Sequence, residues 1–168
     1  MKIAYIGTYP PRKCGIGTFT ENLCKSIALN VKQDAKTHAS VITINDSNSL
    51  QEYDYPREVK FVVRQNYRED YINAAEQINL SNSRACILNH EFGIFGGDSG
   101  LYILSLTDRL KVPLAVVFHT VLKEPSFLQK NIIRKISETA AKIVVMSNKA
   151  VELLIGIYDI PPHKIEVI

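Results

Sequence analysis

Cys14, Cys24 and Cys86 are the only cysteines in this chain of 168 residues, and no two of them stand in Cys-x-x-Cys spacing. An odd, scattered set excludes a disulfide framework and a zinc ribbon and suits a reducing compartment. No histidine–cysteine grouping has metal-ligand spacing, so no metal is expected. No apolar run approaches the roughly 20 residues a membrane span needs. The run after Lys2 is also far too short for a signal-peptide core. These absences lead us to expect a soluble, cytoplasmic protein. The formal net charge is only +3, with 22% charged residues. That balance permits an anionic ligand but not the dense basic face of a nucleic-acid partner, and none is expected. The chain also lacks the Gly-Lys-Ser/Thr of a P-loop and any hydrolase-type pair of acids.

What the chain does contain is a hydrophobic fraction of 46%, enough for the core of one domain spanning residues 1–168. Short β-branched runs alternate with helical patterns. Strands are expected at Ile3–Gly7, His38–Ile44, Val59–Val63, Ala85–Leu88, Leu114–Phe118, Ile143–Met146 and Ile165–Ile168. Helices are expected at Thr18–Leu29, Tyr67–Leu80, Gly100–Leu110, Phe127–Ala140 and Lys149–Tyr158. The first helix repeats Phe19, Leu23, Ile27 and Val31, and the second places Tyr71, Ala74, Ala75 and Ile78 on one face. A polar stretch separates the second and third strands, around Asn45 to Pro56. Apolar strands alternating with amphipathic helices predict an α/β fold: a doubly wound, mostly parallel sheet with helices on both faces.

In such a sheet, ligands gather at the carboxyl ends of the strands, where strand order reverses. The residues that follow the strands are Gly15-Ile16-Gly17, His90-Glu91, His119-Thr120 and Ser147-Asn148. Gly15-Ile16-Gly17 enters a helix whose unpaired amides and positive dipole end suit a phosphate. A dinucleotide fingerprint fits poorly, because position 20 is Thr20 and the loop from Thr8 to Gly15 is too long for its tight turn. Asp46 also lies about 30 residues past Gly17, where that fingerprint wants its acid after about 20. The plainer alternative, glycines that only shape a turn, stays open.

The segment Tyr9-Pro-Pro-Arg-Lys-Cys-Gly-Ile-Gly-Thr-Phe-Thr-Glu-Asn-Leu23 resembles the N-terminal glycine-rich loop of the retaining GT-B glycosyltransferases of family 4, the group 1 type. The resemblance continues through His90-Glu-Phe-Gly-Ile-Phe-Gly-Gly97, Val117-Phe-His-Thr120 and Ile143-Val-Val-Met-Ser-Asn148, in order along essentially the whole chain. It implies a Rossmann-like, acceptor-side half of a GT-B fold and a nucleotide-sugar donor used without metal or other cofactor. It further implies sugar transfer with retention to a carbohydrate or lipid-linked acceptor. By resemblance, Gly15, Ile16 and Gly17 lie against the donor phosphate and sugar, and His119 is the catalytic histidine beside the reacting carbon. The donor-binding C-terminal domain, with its Glu-x7-Glu element, is expected outside residues 1–168. This chain alone is then expected to be inactive, as one half of a retaining hexosyltransferase. The rival expectation is a stand-alone Rossmann-like module that binds a nucleotide or phosphorylated metabolite without catalysis.

His90 and Glu91 are acceptor-side candidates; the alternative is a loop whose glycines only make a turn and whose Asp98 or Ser99 caps the following helix. Arg12 and Lys13 flank the glycine loop as further acceptor-side candidates, against the plainer reading of solvated charges. Cys14 reads as incidental. Lys123, Lys130, Arg134 and Lys135 surround the apolar Phe127, Leu128, Ile132, Ile133 and Ile136. In lipid-acceptor relatives such a helix makes a weak peripheral contact with the inner membrane face. The alternative is a face packed on the sheet.

Overall fold

The computed structural model describes residues 1–32, 38–46 and 53–168. The middle of the polar stretch between Asn45 and Pro56 lies outside the described residues. Strands β1 (Ile3–Gly7), β2 (Ala39–Asn45), β3 (Val59–Arg64), β4 (Ala85–His90), β5 (Leu114–Phe118), β6 (Lys142–Val145) and β7 (Ile165–Val167) form one sheet. Their order is β3-β2-β1-β4-β5-β6-β7, and every pairing is parallel. Ile3 pairs with Ala39 on one side and Ala85 on the other, so strand order reverses across β1. Among the described residues, the helices that pack on this sheet are α1 (Gly15–Asn30), α2 (Arg68–Leu80), α3 (Leu104–Thr107), α4 (Phe127–Thr139) and α5 (Asn148–Gly156).

Alternation along the strands assigns residues to two cores. Ala4 and Ile6 of β1 join Ile42, Ile44, Leu88, Val116, Phe118 and Val145 in the larger one, which α2, α3, α4 and α5 cover. Ile3 and Tyr5 join Ala39, Val41 and Cys24 in the smaller one, which α1 covers. The fold is thus the doubly wound α/β arrangement, with helices on both faces. In α2, Tyr71, Ala74, Ala75 and Ile78 are all fully buried, as their spacing predicts.

Three local expectations are corrected. The buried stripe of α1 is Gly17, Thr20, Cys24 and Ala28, while Phe19, Leu23 and Ile27 sit half-buried beside it. Small residues on that stripe let the helix lie close to the sheet. Secondly, no regular helix runs from Gly100. A 3-10 segment spans Asp98–Ile103, with left-handed backbone at Ser99 (φ 54°) and Gly100 (φ 81°), before the short α3. Neither Asp98 nor Ser99 caps it; Gly97 holds the N-cap position without a side-chain bond. Thirdly, Phe127 is 83% exposed at the start of α4, so it stands outside the core. The helix buries Ile132, Ile133 and Ile136, and Ser126 and Gln129 close a capping box at its start. Lys130 and Arg134 each pair with Asp159 at 3.5 Å.

The glycine segment after β4 is tied down. Tyr71 Oη donates to Gln65 O at 2.8 Å and accepts from the Gly96 amide at 2.9 Å. Gln65 Nε2 donates to Gly93 O at 3.1 Å. A Cβ on Gly96 would overlap the carbonyl of Gln65, and backbone cannot yield as a side-chain tip can. We therefore expect Gly96→Ala to cost about 3 kcal/mol, read as a lower midpoint in urea denaturation. A variant as stable as the parent would show that the segment is not held against β3.

Candidate active site

The reversal between β1 and β4 opens a rim where α1 begins. The register pairs Asn89 with Val117 and His90 with Phe118. One step further, the His119 amide donates to His90 O at 3.0 Å, extending the ladder. Alternation then separates the two histidines. Asn89, Val117 and His119 share the α1 face, whereas His90 points with Phe118 into the larger core.

His119 is half-buried at this rim. Phe19 of α1 meets its ring edge-on at 4.7 Å between centroids. Its Nε2 lies 3.4 Å from Asn89 Oδ1, and Asn89 Nδ2 donates to Thr20 Oγ1 at 3.1 Å. Burial lowers the pKa of His119 and outweighs the opposing pull of Glu91. The imidazole is therefore neutral at physiological pH and offers one donor and one acceptor. His119 also lines an open cleft of about 210 Å³ with Met146, Ser147 and Lys149. Ser147 is committed there as the N-cap of α5, accepting from the Ala150 amide at 3.2 Å.

At the start of α1, Gly15 is exposed, Ile16 half-buried and Gly17 buried. A Cβ on Gly15 would meet nothing within 4 Å, while one on Gly17 would stand 3.4 Å from the Tyr9 backbone. Gly17 thus accommodates the preceding loop, and Gly15 faces open space. Cys14 is the N-cap residue of α1, and its thiol accepts from Thr8 Oγ1 at 3.3 Å. Burial alone would raise that thiol's pKa. The Thr8 bond, the Gly17 and Ile16 amides it faces, and Arg12 together lower it.

The other expected site residues are distributed differently. Arg12 donates to Ile44 O at 2.8 Å and pairs with Asp46 at 3.3 Å, so it fastens the glycine loop to the end of β2. Asp46, an acid that could mimic a ribose ligand in the sequence, is thus paired with Arg12. Lys13 is exposed. Glu91 accepts from the Phe92 amide at 2.9 Å and from Thr120 Oγ1, bridging the ends of β4 and β5. His90 departs furthest from expectation: it is fully buried and cannot line an acceptor pocket. Its ring packs against Phe92, Phe95 and Phe118 at 5.0–5.6 Å, and among the described residues neither ring nitrogen has a hydrogen-bond partner. Burial, with a smaller contribution from His119, pushes its pKa down to about 3. The sequence alone gives Asn89, Thr20 and Phe19 no place in the site. Only alternation of side chains along β4, counted back from His90, could have drawn attention to Asn89.

The all-parallel, doubly wound sheet with helices on both faces defines the class of Rossmann-like α/β domains. The Glycosyltransferase Family 4 model matches residues 15–168, and the chain belongs to that family. No curated protein sequence matches it. Among the described residues, no helix is long and apolar enough to cross a membrane.

The buried His90 makes stability depend on pH in a calculable direction. Its folded pKa of about 3 lies below its unfolded value of roughly 6.5. Its contribution is therefore complete above the unfolded value. As pH falls towards 3 it is lost, because only the unfolded chain takes up the proton. Between about pH 6 and 4, His90→Phe is expected to gain on the parent by about 1.4 kcal/mol per pH unit. Urea melts at several pH values measure this, and a pH-independent difference would count against it.

Proposed function

We propose that this glycosyltransferase family 4 chain is the acceptor-side half of a retaining GT-B enzyme. It would move a hexose from a nucleotide-sugar donor to an acceptor hydroxyl on a carbohydrate or a lipid-linked carrier. The donor-binding domain would lie outside residues 1–168, and the reaction would need no metal. The observation that carries this reading is the approach of α1 to His119 across the switch point, with Phe19 against the imidazole at 4.7 Å. A phosphate group and a sugar hydroxyl could therefore be met from one place.

In this reading, the amides at Gly15, Ile16 and Gly17 and the α1 dipole stabilise charge developing on the leaving diphosphate. The dipole end alone contributes about 0.3–1 kcal/mol towards an anion. Neutral His119 hydrogen-bonds a donor-sugar hydroxyl and sets the reacting carbon. Glu91, fixed by Phe92 and Thr120, shapes the acceptor side more than it moves protons. Lys13 is left to meet an acidic acceptor. We place the working protein in the cytoplasm, with α4 and exposed Phe127 available for weak contact with the inner membrane face.

Two substitutions in the full-length enzyme test this reading. Gly15→Val adds bulk where nothing is met within 4 Å. It should leave the melting temperature within about 1 degree and weaken donor binding at least roughly tenfold, about 1.4 kcal/mol. Calorimetric titration with a panel of nucleoside diphosphate sugars reads the binding. Unchanged affinity would return the glycine to a turn-shaping role. His119→Ala should lower turnover by roughly tenfold to a hundredfold, the loss of one or two kcal/mol of hydrogen bonding, with far less effect on stability. Unaltered turnover would remove His119 from the site.

A further inference from the structure

Beneath His119 runs a chain of hydrogen bonds whose direction is forced from one end. Thr20 Oγ1 donates to Ile16 O at 2.8 Å. A carbonyl oxygen can only accept, so this bond consumes the single hydroxyl proton of Thr20. Thr20 then has only lone pairs to offer Asn89. The Asn89 amide must therefore turn its NH2 group to Thr20, at 3.1 Å, and its carbonyl oxygen towards His119 Nε2, at 3.4 Å. The flipped amide would set a carbonyl against a hydroxyl with no proton left, and an NH2 group against the ring nitrogen. Side-chain amides are often ambiguous in this respect; the Ile16 carbonyl removes the ambiguity here.

Two further features suit the arrangement to this purpose. Asn89 and Thr20 are both fully buried, so water does not compete for their hydrogen bonds. Gly7, at the end of β1, leaves them room: a Cβ there would stand 3.1 Å from Thr20 Oγ1 and 3.2 Å from Asn89 Cβ. Of the two ring nitrogens of His119, only Nε2 is engaged, and among the described residues no hydrogen bond reaches Nδ1.

We propose that Asn89 is a positioning residue that holds neutral His119 as the Nε2–H tautomer, so that the ring meets its ligand through Nδ1, as an acceptor. A ligand group that fits must donate, as a sugar hydroxyl does and a phosphate or carboxylate oxygen does not. This assigns the anionic part of the donor to the α1 amides and a hydroxyl to His119. The ligand half of the inference rests on the proposed function. The tautomer half stands on the hydrogen-bond chain alone.

The test is heteronuclear NMR of the imidazole nitrogens in the 15N-labelled chain at about pH 7.5, without ligand. In the parent, His119 should show a pyrrole-type Nε2 and a pyridine-type Nδ1. Asn89→Leu removes the acceptor and should reduce the preference for Nε2–H by roughly tenfold, the weight of one buried hydrogen bond. An Nδ1–H form in the parent, or the same preference in the variant, overturns the assignment. Should Asn89→Leu lose its dispersed amide spectrum, Thr20→Val serves instead. It keeps the side-chain shape but frees Asn89 to turn over, and an unchanged preference there is equally fatal. Adding a nucleotide-sugar donor to the full-length enzyme separates the two readings. A shift at Nδ1 supports both, whereas a fixed tautomer with an unmoved Nδ1 sinks only the proposed role of His119 in donor binding.

Discussion

β1 is hydrogen-bonded in parallel on both sides, to β2 and to β4, and the rest of the molecule follows from that. The chain must leave β1 in one direction, return past it and continue in the other. Parallel pairing allows each move only through a crossover. The carboxyl ends of β1, β4 and β5 therefore reach one rim, and α1 starts beside them. Without that constraint, Gly15, Asn89 and His119 would be unrelated positions in a polar count.

Alternation along β4 and β5 then decides which side chains at the rim are available for chemistry. Neighbouring residues in a strand point to opposite faces. His90 is sealed among phenylalanines by this rule, while Asn89 and His119 emerge on the face shared with α1. The sealed histidine has a cost, because a buried imidazole without a hydrogen bond forfeits solvation. It shows in the depressed pKa of His90. Burial acts more mildly on His119, which keeps its neutral form and its access to the cleft.

Much of the strand framework was legible because apolar β-branched runs have few other places to go. Leu114–Phe118 matches its expected bounds, and α2 buries the four residues its spacing picked out. The failures share a cause. The buried stripe of α1 is made of Gly17, Thr20, Cys24 and Ala28, which an apolar count passes over in favour of larger neighbours. The segment after β4 reads as a helix with a cap, yet left-handed backbone at Ser99 and Gly100 interrupts it. Arg12 reads as a free cation, and a partner 34 positions away, Asp46, claims it. Long-range pairing of this kind leaves no trace in local spacing.

By itself, the sequence determined the alternation of strand and helix, and with it a doubly wound sheet and the edge formed by the carboxyl ends of its strands. It also placed glycines at the start of α1 and a histidine after β5, because those positions follow from where the strands end. Only the tertiary structure decided which residues of that edge act together. It buried His90, paired Arg12, and set Asn89 between Thr20 and His119. Such choices depend on register and side-chain direction across elements distant in the chain, and these exist only once the sheet has closed around β1.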